Sequence, residues 1–529
     1  MNQGDVGGWS TAIKRRTKPG PIFLSIARSA WALVVCLQLL VAARESAAQS
    51  GMVEWSQPIN LSNTAESSGR PAIVADLSGL VHVFWSEEVG GDSILDIPAQ
   101  LIHNGNTIFY TRWDGMSWTE PVDILFVPGD QIAEYVAVAV DKEDYLHIVW
   151  TGQSDFYYST AAGWQAFSAR AWSEPMVVAG DSARSAWESD IITDAVGNIH
   201  IVFATRGPTA GIYHIASFDR GRTWSAPVLI SQPFDTLETS FSNVRVRVDG
   251  ADRLHTVWQT NQKEGYGQGV YYARSLDGGQ TWAQPVQMGR RDPGEYEVAF
   301  PYLAAVGESE IHMVYIDGEW HIGRWHRISR DGGETWSEPV HILTDLEGVN
   351  GYTILLTDGL DGLHLVTTMR TRTQISGPIF YAHWLGTEWS PVERPFVESD
   401  QTGPGAHWTA ATIGRGNEIH VVWNTNFSHK AGEIWFSRGI IPGVSPDLVP
   451  PASARNGSLM GASPLPTIAA GTGDFTSTSS ETANSQEVPL LPDSPDRPSE
   501  AVPVLVALAS SVCLLLAAIA WTRIFPTRR

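Results

Sequence analysis

Cysteine is nearly missing: the 529 residues contain two, Cys36 and Cys513, each in an apolar run near one end of the chain. The central part has no internal disulfide available, and a small disulfide-stapled scaffold is excluded. Positive charge is scarce as well, with 35 Lys and Arg against 57 Asp and Glu, a formal net of −22. Nine of those basic residues and three of the acidic ones belong to segments 1–48 and 499–529, which leaves a net of −28 for residues 49–498. A segment this acidic repels nucleic acid and anionic lipid, so neither is an expected partner. Between residues 440 and 500 there is neither Trp nor Tyr, while 10 of the 31 Pro fall there. Such composition buries too little apolar surface to offset its chain entropy, and it reads as a Pro/Ser/Thr-rich stalk.

The ends read as membrane-directed. Lys14, Arg15, Arg16 and Lys18 precede an apolar stretch from Ser29 to Ala43, and Ser46-Ala47-Ala48 supplies small residues, the pattern of an export signal over 1–48. Residues 501–522 carry no charge and are followed by Arg523, Arg528 and Arg529. At about 1.5 Å per residue that run spans a hydrocarbon core of about 30 Å, with the basic tail 523–529 on the cytoplasmic side. The expected localisation is the cell membrane, single-pass, with the rest of the chain extracellular or periplasmic.

What the sequence has in abundance is Trp, 22 residues in all, and much of it is periodic. An aliphatic residue, then His, then a short apolar run recurs at His82, His147, His200, His255, His312, His364 and His420. Interleaved with it, Trp-Ser-x-Pro-Val or a close relative begins at Trp55, Trp118, Trp172, Trp224, Trp282, Trp336 and Trp389. Each unit reads as four short strands, rich in β-branched and aromatic residues and separated by Gly/Asp turns. Seven four-stranded antiparallel units of about 50 to 60 residues are the size of propeller blades, so the expected fold is an all-β seven-bladed propeller over 49–439. The lone Trp55 strand precedes the first unit and the last unit lacks a fourth strand. The N-terminal strand is therefore expected to complete the last blade.

Three turns share a tighter pattern: Ser217-x-Asp219-x-Gly221-x-x-Trp224, Ser275-x-Asp277-x-Gly279-x-x-Trp282 and Ser329-x-Asp331-x-Gly333-x-x-Trp336. On these residues the chain resembles the sialidase/BNR-repeat superfamily, whose Asp-box is Ser-x-Asp-x-Gly-x-x-Trp. The resemblance covers roughly residues 52–438. The Asp is expected to accept backbone N–H groups across the turn, the Gly to take a positive φ, and the Trp to anchor neighbouring blades. The resemblance places these turns on the face opposite the active site.

Function is expected where the repeats differ and face the axis. The tops of the inner strands supply Arg70, Tyr135, Glu188, Asn243, Phe300, Tyr352 and Trp408, and two positions further down come Ala72, Ala137, Asp190, Arg245, Tyr302, Ile354 and Ala410. Loops between second and third strands add Glu87, Glu88, Asp92, Arg206 and Arg370. Aromatics mixed with a cation, a carboxylate and an amide suit a sugar. The family clamps a substrate carboxylate with three Arg and uses a Tyr nucleophile, its Glu partner and an acidic proton donor. Carried over, the resemblance implies Arg70, Arg245 and Arg370 as the clamp, Tyr352 with Glu188, and Asp190 as a further carboxylate. Arg70-Pro71 is one residue shorter than the family's Arg-Ile-Pro, and its catalytic domains usually have six blades. The seven repeated His are distributed round a ring and cannot converge on one ion, so neither metal nor other cofactor is expected. Three readings remain: glycan recognition at the axial mouth, an exo-acting sialidase-type glycoside hydrolase, and a non-catalytic scaffold for a protein partner.

Overall fold

The structure is a computed structural model. It describes residues 52–64, 67–87, 106–126, 133–152, 155–180, 186–233, 240–261, 267–291, 298–318, 324–346, 351–369, 377–395, 405–427 and 430–446. All of these belong to one compact unit, Met1–Ser463, and the second unit, Pro464–Arg529, lies outside them. So do the export signal, most of the stalk, the 501–522 span, the cytoplasmic tail, Glu88, Asp92 and Arg370. Among the described residues no helix is long and apolar enough to cross a membrane.

Seven antiparallel sheets form the blades. Their inner strands are Ala72–Ala75, Glu134–Val140, Ala186–Thr193, Ser240–Val248, Val298–Val306, Thr353–Thr357 and Thr409–Gly414. In each blade the chain moves outward through a second and a third strand and, in blades 1 to 5, on to an outer one. The second strands are the most buried: Val81–Glu87 and Ile199–Thr205 are buried at every position. A strand covered on both faces accounts for their unbroken apolar runs. Blade 6 departs from the expected four strands. Its sheet has three, and a single bridge between Tyr381 and Glu393 stands where the outer strand would run. Pro395, two residues past that bridge and without a counterpart in the other outer strands, explains part of this, because it has no N–H to give a ladder.

Closure follows the expected route. Glu54–Trp55 and Ile59–Asn60 both pair with the third strand of blade 7, Glu54 opposite Ile440 and Ile59 opposite Phe436. The first strand of the chain thus supplies the outer strand of the last blade. Pro58, between its two pieces, interrupts the ladder.

Adjacent blades are joined by the repeated His and Trp. In the second strand of blade 4, His255 Nε2 is 3.0 Å from Asp249 and its Nδ1 is 2.7 Å from Tyr272 Oη. Blades 1, 2 and 6 repeat this with Tyr110, Tyr158 and Tyr381. Blades 3 and 5 place a second histidine there, His214 and His326. The Trp that opens the next outer strand stands edge-on to that third-strand ring: Trp224 on Tyr158, Trp282 on His214, Trp336 on Tyr272. The expected Asp-box roles are all present. Asp219, Asp277 and Asp331 accept the Thr223, Thr281 and Thr335 N–H groups at 2.8 to 2.9 Å, Ser217, Ser275 and Ser329 each bond the Asp and the Gly N–H, and the Gly have φ between 80° and 84°.

Candidate functional site at the axial mouth

The inner strands start at one end of the ring and finish at the other, where the Asp-box turns lie. At the starting end they enclose a cavity lined by all fourteen inner-strand residues that the repeat register picks out, from Arg70 and Ala72 to Trp408 and Ala410. Strand geometry aims them inward. In blades 2, 4 and 5 the pairing register slips just below the mouth, and Tyr135, Asn243 and Phe300 take left-handed φ of 50° to 51°. A bulge with a non-glycine residue in that region costs energy, and it turns the side chain out of the normal alternation toward the axis.

Arg70 is the centre of the upper layer. Its Nη1 donates to Glu188 Oε1 at 3.0 Å and its Nη2 donates to the Tyr352 hydroxyl oxygen at 3.0 Å. The guanidinium also lies 4.9 Å from the Tyr135 ring, 5.5 Å from Tyr352 and 5.2 Å from Trp408. Burial alone would lower its pKa, but Tyr352, Glu188 and Tyr135 outweigh that and raise it. Glu188 is fully engaged: its other oxygen accepts the Asn243 N–H at 2.6 Å. Tyr352 and Glu188 therefore meet through Arg70 rather than as a direct nucleophile–base pair, because the guanidinium occupies the space between them.

A second polar layer lies below. Asp190 Oδ2 accepts from Arg247 Nη1 at 2.8 Å and from the Val246 N–H at 3.0 Å. Tyr302 lies under Arg247 and Arg245, 4.8 Å and 5.5 Å from the two guanidinium carbons. Arg206 is set apart, stacked 3.5 Å over the Trp187 indole, and its pKa is lowered by burial despite Tyr135, Glu188 and Glu134. Glu87 is not a mouth residue. Its carboxylate is buried and accepts from Trp85 Nε1 at 2.7 Å and Ser68 Oγ at 3.2 Å.

Four further residues belong to this site and were not singled out from the sequence. Arg247 neutralises Asp190. Glu134 is held up to about 7, chiefly by burial and against the pull of Arg70 and Arg206. Gln259 Oε1 accepts both the Asn243 side-chain amide at 2.8 Å and the Phe300 N–H at 3.0 Å, which pins two of the left-handed residues at once. Asn424 does the same work in blade 7, its Oδ1 accepting the Trp408 N–H at 2.9 Å. A signal existed: four residues after the repeated His, an amide appears in blades 4 and 7 and in no other repeat. Among the described residues no group of three His, Cys, Asp or Glu side chains is placed to hold a metal ion.

The BNR/Asp-box repeat family matches residues 327–338, the third of the three turns. The chain thus carries an Asp-box repeat on a seven-bladed β-propeller. No curated protein matches the chain. Among solved structures, this Asp-box propeller is similar to a protein of unknown function from Dyadobacter fermentans DSM 18053, with 14% identity over 74% of this chain and 99% of that one, TM-score 0.45. It is similar to a polysaccharide lyase, an ulvan lyase, at 10% identity over 72% and 95%, TM-score 0.48. The third is the intramolecular trans-sialidase from Ruminococcus gnavus, at 13% identity over 73% and 98%, TM-score 0.42. The blade count and the closure of the Asp-box propeller rest on its own sheet order.

Proposed function

We propose that the protein is an exported, membrane-anchored propeller that recognises a glycan at its axial mouth without turning it over. One observation carries the reading: Arg70, held by Glu188 and Tyr352 at 3.0 Å, sits inside a ring of aromatic faces from three other blades. Aromatic faces cover the apolar side of a sugar, and fixed donors and acceptors select its hydroxyl and acid groups. The local charge favours an acidic sugar. Arg70, Arg206, Arg245 and Arg247 face Glu188, Asp190 and Glu134, and the last is half neutral near pH 7. The −28 of the wider segment acts weakly here, since charges beyond about 8 Å are screened at physiological salt.

The free space in the mouth is about 140 Å³, below the ~300–1,000 Å³ of pockets that enclose a ligand. A sugar would therefore enter by its tip and leave most of itself on the rim, as suits recognition. A glycan array probed with the purified full chain is expected to show binding to acidic glycans, reduced at least about tenfold in Arg70→Ala by loss of charge-assisted bonds. Absence of binding to any glycan would sink the reading.

The hydrolase reading draws support from the same convergence, since Arg70, Glu188 and Tyr352 come from blades 1, 3 and 6 to one point. Against it, Glu188 is bonded to Arg70 and to the Asn243 N–H, and the Tyr352 hydroxyl is bonded to Arg70 in place of a carboxylate base. Release of a fluorescent aglycone from a sialoside, lost in Tyr352→Phe, would favour turnover.

A further inference from the structure

The Asp-box turns do more than decorate the lower face; they close the seams between blades. The glycine three residues before the Trp is pressed against the preceding blade: a Cβ on Gly221, Gly279 or Gly333 would overlap Tyr158, His214 or Tyr272. Blade 6 has lost the Ser-x-Asp part of the motif and keeps Leu385-Gly386-Thr387-Glu388-Trp389. At the equivalent Gly386 nothing lies within 4 Å. The tip of the turn stands clear of blade 5, while Trp384 and Trp389 reach back edge-on to His326, Trp389 Nε1 donating to His326 Nδ1 at 3.2 Å, and the missing outer strand of blade 6 leaves the seam open outside these contacts.

A cavity of about 740 Å³ results, between the outer strand of blade 5 and the third-strand turn of blade 6. This is within the size range of small-molecule sites. Trp384 and Trp389 are partly exposed in it, beside His341. Val340 and Leu385 are 59% and 41% exposed at its edge. Asp345 and Glu388 add carboxylates, while the cation on the rim, Arg330, is already 3.5 Å from Glu310. Flat indoles beside carboxylate acceptors match the alternating C–H faces and hydroxyl donors of a sugar ring. The acidic balance disfavours an anion.

We infer that this open seam is a second carbohydrate site, selective for neutral saccharides and independent of the axial mouth. The test uses the purified full chain with cellohexaose, xylohexaose and chitohexaose, followed by calorimetry and saturation-transfer NMR. At least one is expected to bind, with its ring protons saturated from indole resonances. Val340→Trp fills the groove from an exposed position and should abolish binding, and Asp345→Asn with Glu388→Gln should weaken it about tenfold, the effect of losing a hydrogen bond to a charged group. Binding of acidic glycans at the mouth should be unchanged in both. The inference is overturned if none of the three sugars binds, if binding survives Val340→Trp, or if Arg70→Ala removes it.

Discussion

At the scale of single residues, Gln259 shows how the mouth is held open in a strained form. Its one amide oxygen satisfies two donors from neighbouring inner strands, and its Nε2 donates to Asn261 Oδ1 at 2.6 Å. Asn261 continues to Ser242 and Ser240 at 3.0 and 3.3 Å. Gln259→Leu leaves the Asn243 amide and the Phe300 N–H buried without that acceptor, at roughly 1–3 kcal/mol each. Denaturant unfolding should show a loss of about 2–6 kcal/mol, and the Asn243 N–H should no longer be aimed at Glu188. A fall in glycan affinity with unchanged stability would contradict this account. His214 and His326 make a second case. Burial, with the neighbouring His200 or His312 adding to it, depresses each to about 3 from the ordinary 6.5. A base depressed on folding binds its proton more readily in the unfolded chain. Its stabilisation is complete above about pH 6.5 and is lost as pH falls toward 3. Replacing both by Tyr, the residue that blades 1, 2, 4 and 6 use, should move the acid-unfolding midpoint to lower pH when followed by circular dichroism. An unmoved midpoint would place the sensitivity elsewhere.

At the scale of elements, the strands and their closure were legible because blade sequences repeat and each repeat pairs locally. An aliphatic residue followed by His marks the second strand in every blade, and the Asp-box writes its own turn chemistry into eight residues. The inward register was legible in five blades, where counting back from the Asp turns finds the same height, and was extended to blades 5 and 7, whose turns lack the Asp, by a guessed register. The partners of the mouth residues were not. Arg247 and Arg245 both alternate to the same face of one strand, and only the three-dimensional ring decides which meets Asp190. The interposition of Arg70 between Glu188 and Tyr352 depends likewise on distances across the axis, which no spacing along one chain encodes. The missing outer strand of blade 6 had a local trace in Pro395. The seal of blade 7 makes a sharper prediction at this scale. A chain beginning at residue 63 lacks both Glu54–Trp55 and Ile59–Asn60 and exposes the edge of Lys430–Ile440. It should unfold at least several degrees lower and aggregate through the bared edge. A synthetic peptide covering 52–62 should restore the melting temperature in part.

At the scale of the whole molecule, the seal joins residues nearly 390 positions apart in sequence, so the ring is completed only when blade 7 has been made. The mouth draws Arg70 from the first blade, Glu188 from the third, Tyr352 from the sixth and Trp408 from the seventh. No fragment that ends before blade 7 contains that constellation whole. A chain that stops before blade 7 lacks Trp408 and leaves Glu54–Trp55 and Ile59–Asn60 without the strand they pair with. On the proposed reading, recognition at the mouth therefore requires the sealed ring and reports that blade 7 has been completed.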